Sequence, residues 1–254
     1  MKPGFMVCRI GSMRTTLAVV VLVCAAVLPP AAARAETTPV RRTIERSAPA
    51  AAHVRVNEAA GDVQILGDDG PTVRVTARVR ATTDAAAAKV GVDVATSGGE
   101  TVVTVNVPQS SPSFVHWIFD RAHISVDLVV RVPRRSVLAA RVAVGDLDVR
   151  GVAAEIDAHT GTGDIHLHDV ATDAGATSGT GDVAVDLAGG WKGARLRVRT
   201  GTGDARIHVP AGLRARVDAR AGAGDVRNEI GNANVTSPVI EVHSGAGDVT
   251  ITTH

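Results

Sequence analysis

The sequence predicts an all-β fold: a β-solenoid or β-helix-like stack of short strands that turns at Gly-Asp corners. Three observations carry this prediction. Apolar and polar residues alternate at period two from residue 53 almost to the end of the chain. Gly-Asp recurs, with aspartates at Asp146, Asp164, Asp182, Asp204, Asp225 and Asp248, at spacings of 18, 18, 22, 21 and 23 residues. Inward and outward positions also change parity across each pair, so no strand runs straight through it.

Residues 1–35 have the layout of a signal peptide and are set aside from the fold. Lys2, Arg9 and Arg14 are basic, Leu17 to Leu28 is apolar, and Ala33-Arg34-Ala35 predicts cleavage before Glu36. Met13 offers a second start that would leave a shorter signal. The apolar run is shorter than the ~20 residues of a spanning helix, so no transmembrane segment is expected after cleavage. Both cysteines, Cys8 and Cys24, lie in this segment, and Val21-Leu22-Val23 is too bulky for a lipoprotein signal. The remaining chain therefore has no disulfide, thiolate metal site or cysteine nucleophile. It keeps 23 basic residues against 26 acidic ones, a net charge of −3, with no block of like charge. That excludes an advertised nucleic-acid or anionic-membrane surface.

Residues 36–52 are rich in Pro, Ala and Arg without a period, and read as a flexible lead-in. The N-terminal β-strand region, 53–135, starts with Val54 and Val56 alternating with Arg55 and Asn57. Val73, Val75, Ala77 and Val79 then alternate with Arg74, Thr76, Arg78 and Arg80, and further runs cover 90–95, 101–107, 124–132 and, past this region, 137–149. One or two helical turns fit only Asp84 to Lys89. The stretch 108–123 reads as a loop with three of the four aromatics outside the signal segment, Phe114, Trp117 and Phe119; the fourth is Trp191. These rings either plug the fold or form a contact patch for a membrane, glycan or protein partner. A core of Val, Ile and Ala with so few rings is thin, which suits stacked repeats.

The Gly-Asp region, 136–254, is continuous in pattern with 53–135 and is expected to form one domain with it. An isolated earlier copy of the pair ends at Asp62. A period near 20 marks units that must stack to bury an apolar face. Leading into and within "HTGTGDIHLHD", residues 159–169, Ile156, Ala158, Thr160 and Thr162 are expected to face inward. Beyond the pair, Ile165 and Leu167 face inward and His166 and His168 outward. Thr162 and Ile165 are three positions apart, so the chain must turn at Gly163-Asp164. Gly145-Asp146, Gly181-Asp182, Gly203-Asp204, Gly224-Asp225 and Gly247-Asp248 are the equivalent structural corners. Glycine permits positive φ, and aspartate accepts hydrogen bonds from nearby amides. Inward positions before the corner are small: Thr160, Ser178, Thr200, Ala221 and Ser244.

Other uses of glycine and aspartate fit less well. A calcium roll needs a Gly-Gly-x-Gly-x-Asp cadence, whereas here Asp directly follows Gly and the spacing drifts. A phosphate loop would be followed by Gly-Lys-Ser/Thr and a helix. His166 and His168 share an outward face, but no third ligand is placed nearby, so no metal is expected. No nucleophile elbow, zinc-binding helix or isolated carboxylate pair is present, so neither an enzyme nor a cofactor is expected.

The layout resembles the DUF4097 family of candidate adhesins, with GIN-domain adhesin heads as relatives. The residues that carry it are "VRVNEAAGDVQILGDDGPTVRVTARV" from Val54, "LVVRVP" at 128–133, and the series "TGTGDI", "SGTGDV", "TGTGDA", "AGAGDV" and "SGAGDV". The resemblance runs over roughly residues 53–253. The resemblance implies an exported or membrane-associated β-solenoid with no catalytic residues to carry over. The functional expectation is an exported, periplasmic or extracellular, non-enzymatic protein. It would meet an envelope or surface partner in an adhesin-like or structural role, through ladders such as Arg195, Arg197 and Arg199, or Asp186 and His208. The alternative is a glycan- or cation-binding module that uses the corner aspartates or the 114–119 aromatics.

Overall fold

A computed structural model describes residues 40–106, 124–236 and 238–253. The chain begins with β1 (Val40–Pro49), β2 (His53–Glu58), β3 (Val63–Asp68) and β4 (Thr72–Ala81). The single short helix among the described residues, α1 (Asp84–Ala88), follows, capped by the Thr83 hydroxyl, which accepts from the Ala86 amide. Next come β5 (Gly91–Ser97), β6 (Glu100–Asn106) and β7 (Ile124–Pro133). The rest is paired across corners: β8 (Val137–Val144) with β9 (Leu147–Arg150), β10 (Ile156–Thr162) with β11 (Ile165–Val170), and β12 (Ala174–Thr180) with β13 (Val183–Leu187). Three further pairs complete it: β14 (Arg195–Thr202) with β15 (Ala205–Val209), β16 (Arg216–Ala223) with β17 (Val226–Asn228), and β18 (Val239–Ala246) with β19 (Val249–Thr253).

The strand before each Gly-Asp joins one sheet and the strand after it joins the other. The first sheet has ten strands in the order β1-β4-β7-β3-β9-β11-β13-β15-β19-β17. The second has nine, in the order β16-β18-β14-β12-β10-β8-β2-β6-β5. Parallel neighbours ordinarily need a long crossover. Here the crossover of each strand is the strand in the opposite sheet, so one coil supplies both. All strands of the Gly-Asp coils pair in parallel, and antiparallel pairing is confined to β1-β4-β7 and β5-β6 at the N-terminal end.

The register stacks like on like. In the first sheet Leu147, Ile165, Val183, Ala205 and Val249 form one buried column, and Val149, Leu167, Val185, Ile207 and Ile251 a second. In the second sheet Leu138, Ile156, Ala174, Leu196 and Ile240 stack beside a column of small residues that includes Ala140, Ala158 and Ala176. Burying each larger aliphatic side chain contributes roughly 1.5–3 kcal/mol. Aliphatic and small side chains alone line these columns, so the core is filled nearly without rings. Trp191 seals a return loop, its indole Nε1 donating to the Thr172 carbonyl at 2.6 Å.

Stacking order departs from chain order at both ends. β2-β3 is the first coil in the chain, yet it lies between β6-β7 and β8-β9. The last coil, β18-β19, lies between β14-β15 and β16-β17. The least regular coil therefore becomes the end of the stack, as terminal repeats of solenoids do. Residues 229–236 cover part of that end: Asn232 Oδ1 accepts from the Val217 amide, and the Ala233 amide donates to the Ala215 carbonyl.

Three sequence expectations are corrected. Residues 40–49 of the expected lead-in form edge strand β1, paired along its length with β4. Only Ile44 in it is buried, so the strand is held by its backbone ladder and carries no alternation to read. Thr162 faces solvent, not the interior, and so do Thr180, Thr202, Ala223 and Ala246. The bend starts one residue earlier than the parity argument placed it, and the last inward side chain is Thr160. The alternating run 137–149 is likewise two strands, divided at Gly145-Asp146. The signal segment and the 108–123 aromatic loop lie outside the described residues.

Candidate functional site

The Gly-Asp peptide stands out of the backbone ladder, and side chains meet its two polar ends. Consider Gly163-Asp164. The Gly163 amide donates to the Thr180 carbonyl and the Ile165 amide to the Asp182 carbonyl, so the ladder closes on both sides. The peptide between them cannot join. Its carbonyl, on Gly163, accepts from Ser178 Oγ of the next coil at 3.0 Å. Its amide, on Asp164, donates to Asp146 Oδ1 of the preceding coil at 2.9 Å.

This arrangement repeats through the stack. The Asp146 amide donates to Asp62 Oδ1 at 3.2 Å, Asp182 to Asp164 at 2.8 Å and Asp204 to Asp182 at 2.8 Å. Asp248 then donates to Asp204 and Asp225 to Asp248, both at 2.9 Å, following the stacking order and not the chain order. Thr160, Thr200 and Ser244 donate to the carbonyls of Gly145, Gly181 and Gly203 at 3.2, 2.9 and 2.9 Å. The aspartates thus hold the neighbouring coil's backbone. The hydroxyls were legible only as small residues; their second role is to satisfy a carbonyl that would otherwise be stranded.

Glycine is required on two grounds, shown by Gly181. Its φ is +141°, and a Cβ there would sit 2.2 Å from the Gly163 carbonyl oxygen. Arg206 lies across two rungs, with its guanidinium 2.8 Å from Asp182 and 2.7 Å from Asp204, which reduces the repulsion of stacked carboxylates.

Two expected outcomes follow at the corners. Ser178→Ala leaves the half-buried Gly163 carbonyl without its donor and should cost about 1 kcal/mol, read as a lower midpoint in urea, whereas Ser178→Thr should stay close to wild type. The Asp204 amide and the Arg206 guanidinium hold the Asp182 carboxyl below its ordinary value. A depressed folded-state value contributes stability at neutral pH that is lost as pH falls below about 4. Asp182→Asn should therefore show a shallower loss of stability over that acid range than wild type.

Elsewhere most charged side chains lie on the outer faces, Glu58 at the end of β2 being buried. On the first sheet His166 and His168 stack with ring centroids 6.3 Å apart. His168 Nδ1 is 2.9 Å from Asp186 Oδ2, and His208 Nδ1 is 2.8 Å from the Thr252 hydroxyl. Asp186 and His208 are register neighbours, but each turns to another partner. Among the described residues, no group of three or more His, Cys, Asp or Glu could hold a metal ion. On the second sheet Arg195, Arg197 and Arg199 share β14, and Arg197 pairs with Glu241 at 3.0 Å. Phe114, Trp117 and Phe119 lie outside the described residues. No helix among the described residues is long and apolar enough to cross a membrane.

A two-sheet parallel stack with side-chain ladders at every Gly-Asp joint defines a β-solenoid-like repeat protein. The family described as Toastrack DUF4097 matches residues 71–254, and the chain belongs to it. A candidate cell adhesion protein from Clostridium sporogenes ATCC 15579 is similar in fold, with a TM-score of 0.50 at 12% identity over 84% of this chain and 100% of that one. A candidate adhesin from Bacteroides fragilis NCTC 9343 gives a TM-score of 0.45 at 12% identity, over 84% of this chain and 97% of that one. No curated protein matches the chain.

Proposed function

We propose that the chain is an exported, non-enzymatic β-solenoid of the cell envelope that acts through the charged outer faces of its sheets, in an adhesin-like or structural role. One observation carries this reading. The interior is filled with aliphatic side chains and the corner groups are engaged with one another, so recognition falls to the outer faces. The cell-adhesion description of the Clostridium protein is in keeping with that. Cation binding at the corner aspartates is the weaker reading, because the Oδ1 atoms of the ladder already accept amides.

Fractionation of the producing cell tests the proposal. The protein should be recovered outside the cytoplasm, beginning at Glu36, and should sediment with the envelope fraction. Recovery of the uncleaved chain in the cytoplasm would overturn it.

A further inference from the structure

We propose that the outer face of the second sheet is a docking track for an acidic polysaccharide, a linear chain with one carboxylate on successive sugar units. The inference rests on the envelope reading above and names the partner that the face would meet. Its centre is a row of side chains in register across six coils: Arg141, His159, Thr177, Arg199, His243 and Arg220. Chain order hides this row, because β18 enters between β14 and β16 and sets His243 between Arg199 and Arg220.

The charges along this face do not cancel. Asp157 serves Arg141 and His159 at 3.8 and 2.8 Å, Glu241 serves Arg197 at 3.0 Å, and Asp218 serves Arg220 at 3.1 Å. Among the described residues no carboxylate lies within ion-pair distance of the side chains of Arg195, Arg199 or Arg216, all exposed on this face, although Glu241 is near enough to feel Arg195 and Arg199 as well as Arg197. His243 Nε2 is buried and has no hydrogen-bond partner among the described residues. Arginine forks match carboxylates with paired hydrogen bonds.

Spacing selects the kind of anion. Parallel strands stand ~4.8 Å apart, close to the length of one sugar unit, so successive coils can meet successive units. Duplex DNA carries one phosphate per roughly 3.4 Å of helix axis on each strand, and its backbone winds away from a flat face, so a straight row of side chains meets few of them. The interleaved Asp157, Glu241 and Asp218 would repel so dense a polyanion, yet they can accept hydrogen bonds from sugar hydroxyls. Aromatic residues, on which bases would stack, are absent from the strands of this face.

Binding of the purified 36–254 chain to polygalacturonate tests the proposal, with dextran as the neutral polymer and polyphosphate as the dense polyanion. Arg199→Glu should weaken polygalacturonate binding about tenfold or more, since it reverses a charge at the centre of the row. Arg78→Glu, the same charge change on the first sheet, should leave binding within about twofold. The melting temperatures of both variants should equal that of wild type, because both side chains are exposed. Equal losses in the two variants, no binding by wild type, or tighter binding of dextran or polyphosphate would each overturn it. Envelope sedimentation without polygalacturonate binding sinks this inference alone. Polygalacturonate binding by a chain that stays in the cytoplasm sinks the envelope reading instead.

Discussion

Gly181→Val should lower stability by more than about 3 kcal/mol, a fall in Tm of roughly 6–12 °C for a chain of this size. Two costs combine. A φ of +141° lies outside the region that side-chain-bearing residues tolerate, and the new Cβ would stand 2.2 Å from the Gly163 carbonyl oxygen. That oxygen belongs to backbone bonded on both sides, so relief requires two coils to separate. Gly181→Asn should be nearly as harmful, because asparagine is favoured near φ +57°, not here. Gly189→Ala is the control: nothing lies within 4 Å of its added Cβ, and stability should change by no more than about 0.5 kcal/mol. Equal melts for Gly181→Val and wild type would mean that the corner is not built as described.

Ending the chain at Thr236 should remove two coils' worth of ordered structure although it deletes only one coil. The deleted strands, β18 and β19, are the sole partners of β16 and β17 in their sheets. Their loss also removes five buried aliphatic side chains, Val239, Ile240, Val242, Val249 and Ile251. At roughly 1.5–3 kcal/mol each, that exceeds what a marginally stable stack can lose without local unfolding. The 216–228 coil cannot simply step into the gap. It carries Ala221 where Ser244 donates to the Gly203 carbonyl, so that carbonyl would be stranded. Amides of 216–223 should then exchange as in an unfolded segment. Retained protection there would show that the coil re-docks on β14 and β15, and that stacking order is not dictated by these contacts.

Much of the architecture was legible in the sequence, because the parity change from Thr160 to Ile165 is a property of the chain alone. The aliphatic columns follow from the same alternation. Stacking order was not legible. Every coil carries nearly the same phrase, so most neighbours would pair in the same register; what separates the last coil from the 216–228 coil is one hydroxyl and larger inward aliphatic side chains, Ile240, Val242 and Ile251 against Val217, Ala219 and Asn228. The hydroxyls of Thr160, Ser178, Thr200 and Ser244 read as small side chains until the stranded glycine carbonyls came into view. β1 escaped notice because an edge strand with one buried residue has almost no side-chain period. The Arg199-His243-Arg220 row was beyond reach for the same reason as the stacking order: its members are 21 to 44 residues apart in the chain.

The central claim is that each corner carboxylate holds the amide of the next coil. Hydrogen exchange at the Asp182 amide in wild type and in Asp164→Ala tests it most directly, since Asp164 Oδ1 is the only acceptor that this amide meets among the described residues. Wild type should protect the amide, and the variant should lose protection there while the neighbouring ladder amides Gly181 and Val183 keep theirs. Fast exchange at Asp182 in wild type, or unchanged protection in Asp164→Ala, would contradict the account.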